Sequence, residues 1–372
     1  MQLFCMLIVV STVGGSEMKK TNSLLLAACL LIVMVLSACG NSASYSQGYR
    51  DIITSVKYDD DTTYVIGHKS PDSDTVGSAI AYAYLLNQLG IKAEAAVSEE
   101  INGETKYALD YFGIEVPAEI KDASGKQFVL VDHSTYSQTI DGMDSAKIVG
   151  IIDHHGIGEI EVSDLINVRS APVGAAATLV YQSYKECGID IPKDMAQVML
   201  MAILSDTRNM KRDVTGLDKA AYDELVKIAK IGDINSFYQN MAEAIADYGE
   251  MTDEEIFYSD YKEYTVGEYS YGIADVIAFG EDNTKAMADR MYEVAAAKYA
   301  DSGLDYLYAK VKNHGDDETE NKMYTIAYGD GAVEVLDEAI GGYDGTKYFI
   351  HKESQSRKKV MVPAIDKVLG KK

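Results

Sequence analysis

The chain has no tryptophan, five prolines, four cysteines and only seven phenylalanines in 372 residues. Positive charge is also scarce: 34 Lys and Arg stand against 58 Asp and Glu, a net charge of −24. So few cysteines in so long a chain exclude a disulfide framework, and stability must come from an apolar core. The acidity argues against a general nucleic-acid binder, which needs a basic face to neutralise phosphates. It also disfavours electrostatic docking on anionic lipid. A small polyanion stays open as substrate, because bound metal ions reverse the local field. What is present suffices for a core, since 47% of the residues are apolar. The length suits two domains or three. Tyrosine is the one abundant aromatic, with 27 copies. Half-exposed strands, where a ring packs and its hydroxyl stays wet, are the expected reason.

Residues 1–38 read as an address. Met18-Lys19-Lys20 and Thr21-Asn22-Ser23 precede an apolar run from Leu24 to Leu36, too short to span a bilayer comfortably. The run ends in Leu36-Ser37-Ala38-Cys39-Gly40, which resembles the bacterial lipoprotein signal with Cys39 lipidated and first in the mature chain. An uncleaved anchor is the competing expectation. Met18 is the expected start, and residues 1–17 an upstream extension. Residues 39–61 follow as a tether. The expected location is the outer face of a bacterial cell membrane, held through the lipid anchor only. Cys187 is then left without an intrachain partner.

From Tyr64 to about Asp206, short apolar runs alternate with helical patterns. Thr63–Ile66, Phe128–Val131 and Ile148–Ile152 are strand candidates. Ser73 and Asp74 are expected to cap a helix running through Ile80, Ala83, Leu85 and Leu86. Such alternation predicts an α/β fold, a doubly wound, mainly parallel sheet with helices on both faces. Lys193–Leu204, Leu217–Ile231 and Ile234–Ala246 read as further helices. A smaller mixed α/β domain is expected after a hinge, with strands at Phe257–Val266 and Tyr269–Phe279, a helix at Asn283–Tyr299, and strands near Leu304–Val311 and Lys322–Tyr328. The expected boundaries are 62–246 for the first domain, 247–255 for the hinge and 256–372 for the second.

Four segments place Asp or His after an apolar run or at a helix end: His68-Lys69-Ser70-Pro71-Asp72-Ser73-Asp74, Asp132-His133, Asp153-His154-His155 and Asp206. The C-terminal strand ends of a doubly wound sheet share one edge, where ligands bind. Four of the six histidines lie in these segments. A lone Asp or His is usually a satisfied turn or cap residue, but four clusters weaken that account. Carboxylates with imidazoles suit Mn²⁺, Fe²⁺, Co²⁺ or Zn²⁺, and the lack of thiolates argues against a structural zinc.

These motifs resemble the DHH phosphoesterases, and within them the family II, manganese-dependent inorganic pyrophosphatases. His68-Lys69-Ser70-Pro71-Asp72-Ser73-Asp74 fits the family's first motif, and Ser356-Arg357-Lys358-Lys359 fits its C-terminal one. The resemblance spans about residues 62–369. It implies hydrolysis of pyrophosphate by a hydroxide activated between two Mn²⁺ ions (or Co²⁺ or Fe²⁺), with Mg²⁺ accompanying the substrate. It implies that His68 and Asp72 hold one metal, that Asp132 bridges, and that Asp74, His154 and Asp206 complete the second site. His155 is then expected to face the substrate and assist the leaving group, with Asp153 and His133 orienting the ligands. Lys262, Arg357 and Lys358 are expected to bind phosphate from the second domain, which closes over the first about residues 247–255. Pairing of two copies through the edge of the first domain is also implied.

Three departures bear on chain-length preference. Thr207-Arg208-Asn209-Met210-Lys211-Arg212 replaces an apolar stretch with Lys-Ser-Pro, and its Asn-Met resembles related exopolyphosphatases. Gly156 stands where a basic residue is common. Ala175 and Ala176 stand where small hydroxyl or thiol residues are usual, although Gly174 can expose helix-start amides to phosphate. The alternative enzyme is an exopolyphosphatase or other small phosphoanhydride hydrolase. A DHH oligoribonuclease fits less well, because Gly341-Gly342-Tyr343 lacks the histidine of its glycine-rich segment. The non-enzymatic alternative is a phosphate- or metal-binding surface lipoprotein, against which no expected ligand is replaced.

Overall fold

The computed structural model describes residues 48–162, 164–314, 322–352 and 355–371. Cys39 and the expected signal lie outside them. No helix of the described residues is long and apolar enough to cross a membrane.

The first sheet is built from β1 (Thr63–Ile66), β2 (Ala93–Val97), β3 (Ala118–Glu119), β4 (Gln127–Val131), β5 (Lys147–Asp153) and β6 (Asn167–Ser170). Its order is β3-β2-β1-β4-β5-β6. Every pairing is parallel. The order reverses between β1 and β4, so a crevice opens beyond their C-terminal ends. Helix α1 (Ser73–Gln88) follows β1, and α2 (Gly103–Phe112) follows β2. Helices α3 (Ala176–Cys187), α4 (Lys193–Asp206), α5 (Gly216–Ala229) and α6 (Ile234–Ala244) come after β6. All six helices share one core with one face of the sheet, through residues such as Val65, Val129, Val131 and Ile152. The other face, Ile66, Phe128, Leu130 and Ile148, is covered by Ala123, Ile140 and Met143 on connecting segments. Helices on both faces were expected, yet among the described residues this face carries two 3₁₀ turns, Tyr136–Gln138 and Met143–Ser145, and no α-helix. The β4–β5 connection, residues 132–146, folds into these two turns in place of a crossover helix.

The cap of α1 sits one position earlier than expected. Asp72, extended in backbone, accepts the Thr75 amide at 3.0 Å, and Ser73 is already helical. Cys187 is buried and makes no disulfide.

The second sheet runs β11-β10-β9-β8-β7. It is mixed, β8–β9 being parallel and the other pairs antiparallel. Its strands are β7 (Tyr261–Val266), β8 (Tyr269–Ala278), β9 (Tyr306–Asn313), β10 (Met323–Tyr328) and β11 (Phe349–His351). Helix α7 (Asp253–Ser259) precedes β7, where a strand beginning at Phe257 was expected. The Thr252–Glu255 capping box starts it, so residues 253–255 of the expected hinge are helical. Helix α8 (Glu281–Ser302) packs on one face of the sheet. Helices α9 (Ala332–Ile340) and α10 (Val362–Leu369) cover one end of the other face. Many tyrosines here are not wet. Tyr271 and Tyr308 are fully buried, their hydroxyls bonded to Asp366 Oδ1 and the Ala332 carbonyl.

Candidate active site

The crevice gathers His68, Asp72, Asp74, Asp132, His154 and Asp206 into one cluster. His68 and Asp72 follow β1, Asp132 follows β4, His154 follows β5, and Asp206 closes α4. Asp132 is central. Its Oδ2 lies 3.3 Å from His68 Nε2, and its Oδ1 lies 3.1 Å from His154 Nε2. One carboxylate therefore faces two separate trios, His68–Asp72–Asp132 and Asp74–His154–Asp206, each with donor atoms within 4.8 Å of one another. A third trio, Asp132–His154–His155, brings His155 to the same place.

The local backbone aims these groups. Asp132 takes a left-handed φ of 64°, a strained setting for a non-glycine residue. The Thr75 hydroxyl steadies its Oδ2 at 2.9 Å. The Nδ1 atoms of His68 and His154 rest on the carbonyls of Lys69 and Val173 at 2.7 and 2.9 Å. That contact fixes each ring with Nε2 toward the cluster, the usual arrangement of a ligating imidazole. Asp74 is fully buried, bonded to Ser78 and to the first amides of α3 at Ala176 and Ala177. Asp153 stays outside the trios. It accepts the Ser134 hydroxyl and the Nδ1 of His155, leaving the His155 Nε2 free and half-exposed. His133 is buried beside the His68 ring, its Nδ1 on the Val131 carbonyl.

So many like charges in a desiccated crevice disturb one another. Burial, aided by the Asp132 charge, pushes Asp74 up to about 7. Burial and the charges of Asp74 and Asp72 raise Asp206 well above the carboxylate range. Burial works against the charged form of His68, but Asp132 and Asp72 outweigh it and push the ring up to about 11. Asp132 Oδ1 and His154 Nε2 are buried without a hydrogen-bond partner, despite their closeness. Buried carboxylates that resist ionisation and orphaned lone pairs facing one point are what a divalent cation would satisfy.

The second domain collects cations. Paired residues of neighbouring strands share a face. The register Lys262–Ile273, Asp275–Lys310 and Ile277–Lys312 therefore puts Lys262, Asp275, Lys310 and Lys312 on one side of the sheet. It is the side whose other end α9 and α10 cover. Arg357 reaches the same strands from a π-helical turn, Arg357–Met361. Its Nη1 donates to the carbonyls of Asp260 and Ile273 at 2.6 and 3.4 Å, and its Nη2 to Asp260 Oδ1 at 2.6 Å. Three of the five guanidinium hydrogens are thus used. The remaining two, on Nε and Nη2, share an edge, the fork that suits bidentate phosphate. Lys262 and Lys358 are exposed. No hydrogen bond or ion pair among the described residues ties these three cations to the first-domain cluster.

Comparison with known proteins places these features in a family. Residues 62–203 match the DHH family, N-terminal domain, and residues 239–368 match the DHHA2 domain. A Methanothrix thermoacetophila protein named manganese-dependent inorganic pyrophosphatase is 35% identical over 314 residues, 84% of this chain and 99% of that protein. The Bacillus subtilis protein of the same name is 35% identical over 304 residues, 81% of this chain and 96% of that protein. The chain belongs to the manganese-dependent inorganic pyrophosphatase family. A crystal structure from Methanococcus jannaschii, assigned to family II inorganic pyrophosphatases, superposes with a TM-score of 0.62 at 30% identity, covering 82% of this chain and 99% of that one.

Two features of this family member differ from expectation. The amides offered to phosphate around Gly174 are already taken, Gly174 by Asp218 Oδ2 and Ala176 and Ala177 by Asp74. Gly174 is instead needed for close packing, since a Cβ there would meet Thr207 Cγ2 at 2.6 Å. The departure at Arg208-Asn209-Met210 folds as three consecutive left-handed residues, φ 47°, 54° and 63°. It is pinned by the Met210 amide on Thr207 Oγ1 and by Asn209 on Asn235.

Sequence reasoning passed over Glu104 and the pair Lys310–Asp275. Glu104 lies in the first turn of α2, 2% exposed, and burial pushes it up to about 8. Nothing in its sequence context marks it. The lysine did leave a signal, since Lys310 and Lys312 stand two apart in an otherwise apolar strand.

Proposed function

We propose that the protein hydrolyses inorganic pyrophosphate to two phosphates, with Mn²⁺ held in the first-domain cluster. The observation that carries this is the placement of Asp132, one oxygen toward each of two ligand trios. His68, Asp72 and Asp132 would hold one ion, and Asp74, His154, Asp206 and Asp132 the other. Two such ions supply a nucleophilic hydroxide near neutral pH and neutralise phosphate charge. The chain's own residues do the rest. Asp132 keeps the two trios at a fixed separation, with Thr75 locking its orientation. His155, held through Nδ1 by Asp153, presents Nε2 to the leaving phosphate and can give it a proton. Arg357 offers a docked fork, and Lys262 and Lys358 add charge to oxygens that become more negative as the bond breaks. Closure of the second domain about residues 247–255 would join the two sets and exclude bulk water.

The test is phosphate release from pyrophosphate by the Mn²⁺-loaded protein, with Asp206→Asn beside it. Release by the parent and its loss in the variant are expected. Equal release by both would refute the second metal site. Short polyphosphate is the second substrate class, favoured by a cationic face that continues past Arg357 to Lys312. Comparing release from pyrophosphate and tripolyphosphate separates the two.

Export and lipidation at Cys39 belong to the same proposal and rest on the sequence around that residue. Loss of membrane association in Cys39→Ala is the expected result. Pairing of two copies is also proposed. β6 is the open edge of the first sheet, and Leu165 and Val168 are exposed beside it. Light scattering reads the mass.

A further inference from the structure

Lys310 is the most buried amino group among the described residues of the second domain, 2% exposed in the middle of β9. Its Nζ lies 2.5 Å from Asp275 Oδ2 and donates to the carbonyl of Gln355 at 3.2 Å. Gln355 directly precedes Ser356-Arg357-Lys358. Asp275 in turn uses its backbone amide to reach the carbonyl of Asp260 at 2.9 Å. That same carbonyl, with the Asp260 carboxylate, docks the Arg357 guanidinium. The contacts close a ring: Lys310 to Gln355, along the chain to Arg357, across to Asp260, to Asp275 and back to Lys310. The Lys310 amino group thus holds the start of the segment that carries the phosphate fork, and the strand backbone at Asp275 meets the carbonyl that docks the fork itself.

The charges argue against mere packing. Asp275 keeps one oxygen buried without a hydrogen-bond partner, and Lys312 approaches it only to 3.8 Å. Burial holds the Lys310 amine below its usual range, against the pull of Asp275. Well-packed apolar residues would serve stability as well as such a pair. An apolar pair, however, could not grip the Gln355 carbonyl.

We propose that Lys310 and Asp275 are positioning residues that set the Arg357 fork for a phosphoryl group. This rests on the function proposed above, and the binding arm of the test separates the two. The variants are Lys310→Met and the double variant Lys310→Met/Asp275→Leu, made in the full chain. Lys310→Met strands a buried carboxylate and is expected to lower Tm. The double variant removes both charges and is expected to keep Tm within a few degrees of the parent. The measurements are KM and kcat for pyrophosphate with Mn²⁺, and calorimetric affinity for imidodiphosphate. In the folded double variant, KM and the imidodiphosphate Kd should each rise about tenfold, with kcat changed less than about threefold. A folded double variant with parental KM and Kd overturns the positioning role. A parent that binds imidodiphosphate but releases no phosphate refutes the proposed hydrolysis, while the variant's Kd still decides the positioning role. A parent that binds none overturns both.

Discussion

In the first domain, carboxylates and imidazoles reach one crevice from strand ends and helix termini. In the second, the cations are spread over β7, β9 and a π-helical turn. The acidic set is crowded and largely buried, and burial with the neighbouring carboxylates raises the proton affinity of Asp74 and Asp206 while, against burial, His154 and His68 lower that of Asp132. In the basic set Lys262 and Lys358 are exposed, Arg357 and Lys312 are partly buried, and the buried Lys310 is neutralised by Asp275. Under the proposed function the contrast follows from what each would hold. Small cations need several ligand atoms converging on a point, whereas a polyanion needs donors spread over a surface.

The largest test of that contrast is Asp132→Asn. Losing the shared charge should cost about 10³-fold in turnover, roughly 4 kcal/mol of barrier, and lower the Mn²⁺ stoichiometry measured by elemental analysis. Next is Arg357→Lys, which keeps the charge and loses the fork. A fall of about 10²-fold in kcat/KM is expected, roughly 3 kcal/mol, with metal content unchanged.

Metal removal comes third and separates the two regions by pH. In the metal-free protein, burial and Asp132 hold Asp74 up to about 7, against about 3.9 for a free carboxylate. The folded form then keeps a proton that the unfolded chain has released. Stability therefore falls as pH rises from about 4 to about 7, and the raised His68 ring carries the fall on at higher pH. With Mn²⁺ bound the proton is displaced, and the slope should vanish. Melting with chelator and with Mn²⁺ at pH 5 and pH 7.5 measures both slopes. The smallest effect is Tyr271→Phe, which breaks the hydroxyl bond to Asp366. It should cost about 1 kcal/mol in second-domain stability and leave Mn²⁺ affinity untouched, read by calorimetry.

The meeting of the acidic region was partly legible in the sequence, because His68, Asp132 and His154 each come just after an apolar run whose end marks the sheet edge. Thr63–Ile66 and Phe128–Val131 lie within the strands found, so the groups after them fall where the fold opens. The cap of α1 was misplaced by one position because Asp72, Ser73 and Asp74 are all good caps and only backbone geometry chooses. The basic region was harder. Arg357 and Lys358 announced themselves as a charge run, but the Lys310–Asp275 pairing depends on strand register, which a single sequence does not display. The strand expected over Phe257–Val266 covers β7 but starts too early, because the aromatic residues at the end of α7 read as strand although Thr252 and Glu255 already spell a capping box. The tyrosines misled because burial with an internal acceptor and half-exposure demand the same residue type.

Asp72 and Asp74 each serve two structures at once. Asp72 caps α1 through the Thr75 amide while its other oxygen faces His68 at 3.5 Å. Asp74 grips the first amides of α3 while facing His154. An ion leaving the crevice thus returns unshared negative charge to the start of two helices. Their end amides become its messengers: hydrogen exchange at Thr75, Ala176 and Ala177 should slow as those carboxylates tighten their hold and quicken as they take up protons. Occupancy of the crevice can then be followed from the backbone alone, without watching any substrate turn over.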